Sequence, residues 1–527
     1  MKRRALIAAA GLAAAGCTAR NAVPAPAAWV GASHARGHRL HGQASLPTAT
    51  VQRRAAVLVV GGGVAGLSAA RAFAHQGVDD VAVLELEDSA GGNSRGAQLA
   101  GMACPLGAHY LPLPTPASHE VNDWLHEIGL LRQQLGRTVA DERHLCHSPQ
   151  ERLFVDGAWA DGLLPPADPS SATAAQYQRF AQAMRKEQQA ALSSSTRRFA
   201  LPAHRSRWDA GLAALDAQTF GAWLAANGFT DERLRWYLDY CCRDDYGAGT
   251  DTVSAWAGIH YFASRHGFHA PGEALSEREG VFTWPEGNAW LVKRLAEPLG
   301  ARIHAGRTVL RVSEQRRQVQ VLAFNEAQQQ AECWTAQQVV LATPLFVAAR
   351  LLENPPDMLR QAAALLQHAP WLVANLHIAE PLLDRPGAPP SWDNVRYGSQ
   401  ALGYVDAMHQ NLRPYAGPTV LTAYWALPVA ERATLLSAGA DSWSDRVLAE
   451  LAPVHPDIHR RVRQVSLMRW GHAMAIPRPG VQRHPALAAL RAAVRAKGSR
   501  VRFAHADLAG CSVFEEAFTA GCEAALS

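Results

Sequence analysis

Five consecutive apolar residues, Ala56-Val57-Leu58-Val59-Val60, run directly into Gly61-Gly62-Gly63-Val64-Ala65-Gly66. Leu67 to His75 then reads as an Ala-rich helix, Gly77 ends it, and Val81-Ala82-Val83-Leu84-Glu85 is a second buried strand. A strand, tight turn, helix and second strand within about thirty residues is the context that gives such a glycine pattern its meaning. Gly61 permits the tight turn, Gly63 lets a pyrophosphate approach the backbone, and Gly66 lets helix and strand pack closely. Val64 and Ala65 stand at the mouth of the helix, where unpaired N–H groups and the positive end of the dipole face the phosphates. Glu85, closing the second strand, is placed to accept hydrogen bonds from a ribose. The unit predicts a bound dinucleotide and an α/β fold.

The following segment, Leu84-Glu85-Leu86-Glu87-Asp88-Ser89-Ala90-Gly91-Gly92-Asn93-Ser94-Arg95, narrows the ligand. Gly91 and Gly92 let the backbone lie against a cofactor, with Asn93 beside them, and Arg95 can neutralise pyrophosphate charge. A surface cation is the other reading of Arg95. An acid closing the second strand, a short turn, two glycines and an Arg resemble the second signature of the FAD-dependent amine oxidase superfamily. That group includes monoamine and polyamine oxidases, protoporphyrinogen oxidase and the carotenoid desaturases. The resemblance implies FAD as the cofactor.

Later stretches carry the same resemblance. Pro285-Glu286-Gly287-Asn288 is similar to the family's helix start, and Val309 lies on the strand whose backbone, in relatives, runs by the adenine. Val339 to Pro344 resembles the strand that re-enters the substrate domain. Val501 to Asp507 resembles the closing strand and acid, and Phe514 begins the helix after it. Asp507 replaces the usual acid and is expected to bond the ribityl or pyrophosphate part. The likeness spans about Ala55 to Ala525 and is loose between Pro116 and Val281.

The resemblance implies a Rossmann-like FAD-binding domain (55–115, 282–345 and 481–527) interleaved with an α+β substrate domain (116–281 and 346–480). Helices are expected in the first substrate segment and a mixed sheet in the second.

FAD would carry the hydride chemistry, so the protein's task is to orient substrate and set the electrostatics. By resemblance, Gly107-Ala108-His109-Tyr110 is the loop that brings His109 and Tyr110 to the flavin face, with core packing the other reading of His109. Asp244-Asp245-Tyr246 sets two carboxylates beside an aromatic ring, which suits a cationic amine. The plainer reading is a helix end with one Asp paired to Arg243. Many amine oxidases hold a water near the flavin with a Lys. The matching stretch here has none, which leaves Asn375 or His377 for that role. Trp470 and His472 are candidates to approach the isoalloxazine, and no Cys stands nearby for a covalent flavin bond. The aromatic cage is open among Tyr110, Tyr246, Tyr404 and Trp470. No metal-ligand spacing appears.

Residues 1–17 read as an export signal: Lys2-Arg3-Arg4 precedes an apolar run from Ala5 to Gly16, too short to span a bilayer. Arg3-Arg4 fits a loose twin-arginine pattern, and Ala14-Ala15-Gly16-Cys17 resembles a lipobox, making Cys17 a candidate lipid anchor or an incidental residue. The expected location is periplasmic or membrane-anchored by lipid. Residues 18–54 read as a flexible tether, rich in Ala, Pro, Gly and His. The net charge of +5 over 527 residues gives no argument for nucleic acid.

Three functions follow from these readings. The first is an exported oxidase of a C–N bond in a small-molecule amine, with oxygen as acceptor. The second is a flavin desaturase or isomerase of an apolar substrate, which predicts a long apolar tunnel. The third is a non-catalytic flavoprotein of an envelope complex.

Overall fold

The computed structural model of the chain describes residues 25–39, 46–189, 197–272, 280–411, 416–494, 496 and 498–526. The export signal and Cys17 lie outside the described residues. Two large sheets organise the rest.

The first is a seven-stranded α/β sheet. Val51–Val60 lies between Val81–Leu84 and Gln330–Leu341, all parallel, and Val501–Phe503 continues the parallel set beyond Gln330–Leu341. Arg307–Glu314 and Val319–Asn325 add an antiparallel pair. Strands covered on both faces must be apolar throughout, and Leu58, Val59, Val83, Val339, Val340 and Leu341 are all fully buried. The helix Val64–His75 packs against the last helix, Phe514–Leu526. Glycine permits that contact, because a Cβ on Gly521 would lie 2.2 Å from Ala65 O.

The second sheet has eight strands, in the order Ala27–Trp29, Val462–Ala475, His368–Ile378, Thr419–Ala426, Tyr404–Asp406, Asp393–Arg396, Glu151–Val155 and Ala158–Asp161. Helices Ala172–Gln189, Glu232–Tyr246 and Ala255–Tyr261 share an aromatic-rich core with it. The segment 116–281 therefore supplies helices and also two strands of this sheet.

The stretch 18–54 is not a tether throughout. Ala27–Trp29 pairs in parallel with Val465–Leu467. Ser33 N–H donates to Glu87 Oε1 (2.7 Å), and Arg36 pairs with Asp88 at 2.8 Å. The first Rossmann strand begins at Val51 rather than near Ala55, with Val51 opposite Glu332. Composition concealed this because an exposed strand edge recruits a partner through backbone groups, which need no sustained side-chain pattern.

Candidate active site

A cavity of about 440 Å³ is lined by residues from both sheets. Gly61, Gly63, Val64, Ala65 and Glu85 line one part of it, and Gly91, Gly92 and Asn93 continue the wall. Val309 and Phe514 border the same space. The helix Val64–His75 begins at Gly63 with no side chain capping it. Its first amides are therefore left for an anion. Gly92 takes φ 55° and presses on the turn, where a Cβ would lie 3.0 Å from Gly63 Cα. Glu85 accepts the Gly62 N–H through Oε2 (2.7 Å) and the Glu87 N–H through Oε1 (2.9 Å). An uncapped helix start, a glycine cradle and a strand-end acid fit the adenosine-diphosphate half of a dinucleotide.

Three residues expected to touch the cofactor are placed differently. Gly66 is buried in the helix and does not line the cavity; a Cβ there would sit 1.9 Å from Gly61 O, so it serves helix-to-turn packing. Arg95 turns to Glu85 Oε1 (3.2 Å) and Ser89 O (2.7 Å), away from the cavity wall. Burial raises the Glu85 pKa and Arg95 opposes the rise, so the Arg is spent on holding that carboxylate charged. Asp507 is fully buried behind the wall and accepts from Leu345 N–H (2.9 Å) and His368 Nε2 (3.0 Å).

Another part of the cavity is aromatic and acidic. His109, Tyr110, Trp470, His472, Asp244 and Asp245 all line it, as does Tyr424. The loop before His109 is drawn close: a Cβ on Gly107 would sit 2.1 Å from Asn93 O. That loop orients two rings, Trp470 Nε1 donating to Leu106 O (2.7 Å) and Tyr424 OH to Gly107 O (3.2 Å). His109 stacks on Tyr424 with centroids 4.3 Å apart. Burial pushes the His109 pKa down to about 3, so the ring is neutral. Burial likewise lowers His472 to about 4, helped by neighbouring Arg432 and His368.

The helix Glu232–Tyr246 ends at Gly247 in the left-handed conformation (φ 71°), delivering its last turn to the cavity. Asp244 Oδ2 accepts from Tyr110 OH at 3.0 Å. Asp245 pairs with Arg265 (2.8 Å), which also reaches Glu515 (3.4 Å). Arg243 instead pairs with Asp239, so neither aspartate is its partner. Burial raises both cavity aspartates, Asp245 to about 6.

Residues 64–526 match the profile of the flavin containing amine oxidoreductases. The chain belongs to that family. Among curated protein sequences it has no match. Among solved structures it is similar to putrescine oxidase bound to putrescine, with TM-score 0.62 and 18% identity over 90% of this chain and 99% of that one. It is similar to cyclohexylamine oxidase from Brevibacterium oxydans IH-35A, with TM-score 0.63 and 17% identity over 90% and 98%. A CLA-producing fatty acid isomerase from P. acnes also matches, with TM-score 0.59 and 15% identity over 89% and 97%. At these identities the structural likenesses show the fold.

As a flavin-containing amine oxidoreductase the protein is an FAD-dependent oxidoreductase, and the remaining residues can be judged against that cofactor's cavity. Asn375 does not reach it. This side chain is fully buried, donating to Pro105 O (2.9 Å) and accepting from Thr422 Oγ1 (2.7 Å). Tyr246 is turned into the helical core, its OH on Ala257 O (3.0 Å). Tyr404 bonds His455 Nε2 (2.6 Å) in the outer layer of the sheet. A strand's alternation decides which face a side chain takes: Tyr404 is on the face away from the cavity, whereas Asn375 shares the face of Trp371 and Val373 but lies further along the strand, tied to Pro105 and Thr422. Tyr424, Arg265 and Trp371 line the cavity without having been foreseen. Tyr424 lies in an apolar run, Thr419–Ala426, whose sequence marks no residue as special. Arg265 sits on a single π-helical turn, Phe262–His266, a feature enriched at functional sites that no residue pattern announced.

Proposed function

We propose that this protein is an exported FAD-dependent oxidase of small amines with oxygen as the electron acceptor. The observation that carries the reading is the pair Asp244 and Asp245 on the cavity wall. Arg265 already has two carboxylates, Asp245 and Glu515, while Asp244 has no ion pair among the described residues. The balance is a net negative charge that a cation would neutralise. Glu151 and Asp393 stand opposite each other on neighbouring strands. Burial favours the neutral form of both, with Asp161 adding to the rise of Glu151, to about 7, and Glu151 to that of Asp393.

An ammonium seated on Asp244 meets the faces of Tyr110 and Tyr424, which supply cation–π attraction. Neutral His109 adds a ring without a repelling charge. The substrate must lose its proton before C–H cleavage, because the nitrogen lone pair stabilises the developing iminium. The raised pKa of Asp244 makes it the base for that proton, and Tyr110 OH holds the carboxylate in place. Bound FAD supplies the acceptor for the α-carbon hydride, and oxygen its reoxidant. The imine then hydrolyses outside the aromatic slot to carbonyl product and ammonia.

The apolar-substrate alternative has no use for two carboxylates at the wall. Its support is the isomerase among the structural neighbours. An anaerobic visible spectrum before and after a panel of mono-, di- and polyamines separates the two. Bleaching by one amine establishes the oxidation half-reaction and its substrate class. A bound flavin that no amine bleaches returns the protein to the desaturase or non-catalytic readings.

Export is part of the same proposal and rests on the Lys2-Arg3-Arg4 head with its apolar run. Replacing Arg3 and Arg4 together by Lys should retain the protein inside the cell if the twin-arginine route carries it. Cys17 as a lipid anchor predicts a fatty-acylated N-terminal peptide by mass spectrometry.

A further inference from the structure

The acid expected to contact the cofactor, Asp507, is occupied by two histidines. Its Oδ1 takes His368 Nε2 at 3.0 Å and lies 3.2 Å from His505 Nδ1, while its own N–H donates to that Nδ1 at 3.1 Å. Its Oδ2 accepts the Leu345 N–H. Both histidines line the cavity, and Asp507 does not.

Sheet register places the group beside the phosphate cradle. Leu341 is opposite Val60 on one side and Phe503 on the other. The residues that follow these strand ends therefore stand side by side: Gly61, Ala342 and Ala504, with His505 next. Ala342 N–H donates to Val60 O and Ala504 N–H to Leu341 O, which locks the level. His505 is thus one strand removed from the glycine turn. His368 reaches the same carboxylate from the start of a substrate-domain strand.

An ionised carboxylate only accepts, so His368 carries a proton on Nε2 and leaves Nδ1 for a further partner. His505 spends Nδ1 on Asp507 and keeps Nε2. Among the described residues neither His368 Nδ1 nor His505 Nε2 takes another hydrogen bond. Such a pair suits hydroxyls and phosphate oxygens together. Arg95, the cation expected there, is committed to Glu85.

We propose that His368 and His505 contact the ribityl–diphosphate linker of FAD, and that Asp507 is a positioning residue acting through them. The inference depends on FAD in this cavity and not on the identity of the substrate.

The test is titration of apo-protein with FAD, followed by flavin fluorescence, for wild type and variants. His368→Leu and His505→Leu should each weaken FAD binding about tenfold or more, the loss expected when a charged or polyol partner loses one hydrogen bond. His368→Asn preserves an amide near Nδ1 and His505→Gln one near Nε2, so both should recover most of the affinity. Asp507→Asn should weaken binding similarly, and combined with His368→Leu should add little further loss, because the two act as one unit. Thermal unfolding of each apo-variant checks the fold, and if a Leu variant does not fold, the Asn and Gln variants decide against their own Ala counterparts. Leu variants that fold and bind FAD like wild type overturn the proposal. So does full additivity between Asp507→Asn and His368→Leu. A folded wild type that binds no FAD overturns the cofactor assignment as well.

Discussion

Tyr110 donates its phenol proton to Asp244 Oδ2 across 3.0 Å, joining the start of the strand Tyr110–Pro112 to the last turn of the helix Glu232–Tyr246. The two residues are 134 positions apart, and the bond ties cofactor-side backbone to the acidic wall. Asn288 Nδ2 donates to the backbone O of Tyr110 (3.0 Å), so the residue is held through its main chain as well as its phenol.

If Asp244 takes the substrate's proton as proposed, activity should rise with pH through its raised pKa. Burial sets that rise, and the Tyr110 hydrogen bond restrains it. Tyr110→Phe removes the restraint and should move the acidic limb of kcat/KM to higher pH. Asp244→Asn should lower kcat/KM by about 100-fold, a typical loss for a proton-transferring group. Steady-state pH profiles with the amine that bleaches the flavin measure both, and an unmoved limb in Tyr110→Phe would contradict the pairing.

Arg95 and Glu85 are both buried, with side-chain exposures of 9% and 8%. Removing one partner leaves the other charge uncompensated, at a cost of about 3–5 kcal/mol in such settings. Arg95→Ala should therefore lower the thermal midpoint of the protein without FAD. A residue serving only the pyrophosphate would leave that midpoint unchanged.

Removal of residues 1–39 strips Ala27–Trp29 from the sheet and exposes the edge of Val462–Ala475. The truncated protein should unfold at lower temperature and associate through the bared edge. Arg36→Ala should change stability by less than about 1 kcal/mol, since Asp88 is largely exposed and the pair is screened. Light scattering and calorimetry distinguish a strand effect from an ion-pair effect.

His109 is held neutral in the fold, with a pKa near 3, against an ordinary 6.5. As pH falls below about 6.5 the unfolded chain takes up a proton there that the folded protein refuses until pH nears 3. Stability from this group is therefore complete above that window and lost progressively on acidification. His109→Phe keeps the ring against Tyr424 and should flatten this part of the loss. Denaturant midpoints compared at neutral and mildly acidic pH supply the measurement.

The strand from Ala56, the glycine turn and the helix up to His75 were legible in the residues because each part is set by its neighbours. Apolar continuity marks a strand covered on both faces, and glycines mark the turn. Gly91, Gly92 and Asn93 were legible for the same reason, and they line the cavity with Val309 and Phe514. Arg95 was misread although Glu85 is only ten residues away, because the bond that redirects it depends on both being buried.

The amino-acid sequence by itself determined the FAD-dependent oxidoreductase family, the parallel sheet and the glycine turn that opens its first helix. These follow from backbone geometry and short-range spacing, which a linear pattern records. Tertiary structure alone decided that Tyr424 and Arg265 reach the cavity, that Asn375, Tyr246 and Tyr404 do not, and that Asp507 sits behind the cavity-lining His368 and His505. It also turned part of an apparent tether into a sheet edge. Each of these depends on strand register, on which face a side chain takes, or on a partner far away in the chain. Those relations exist only once the chain has packed.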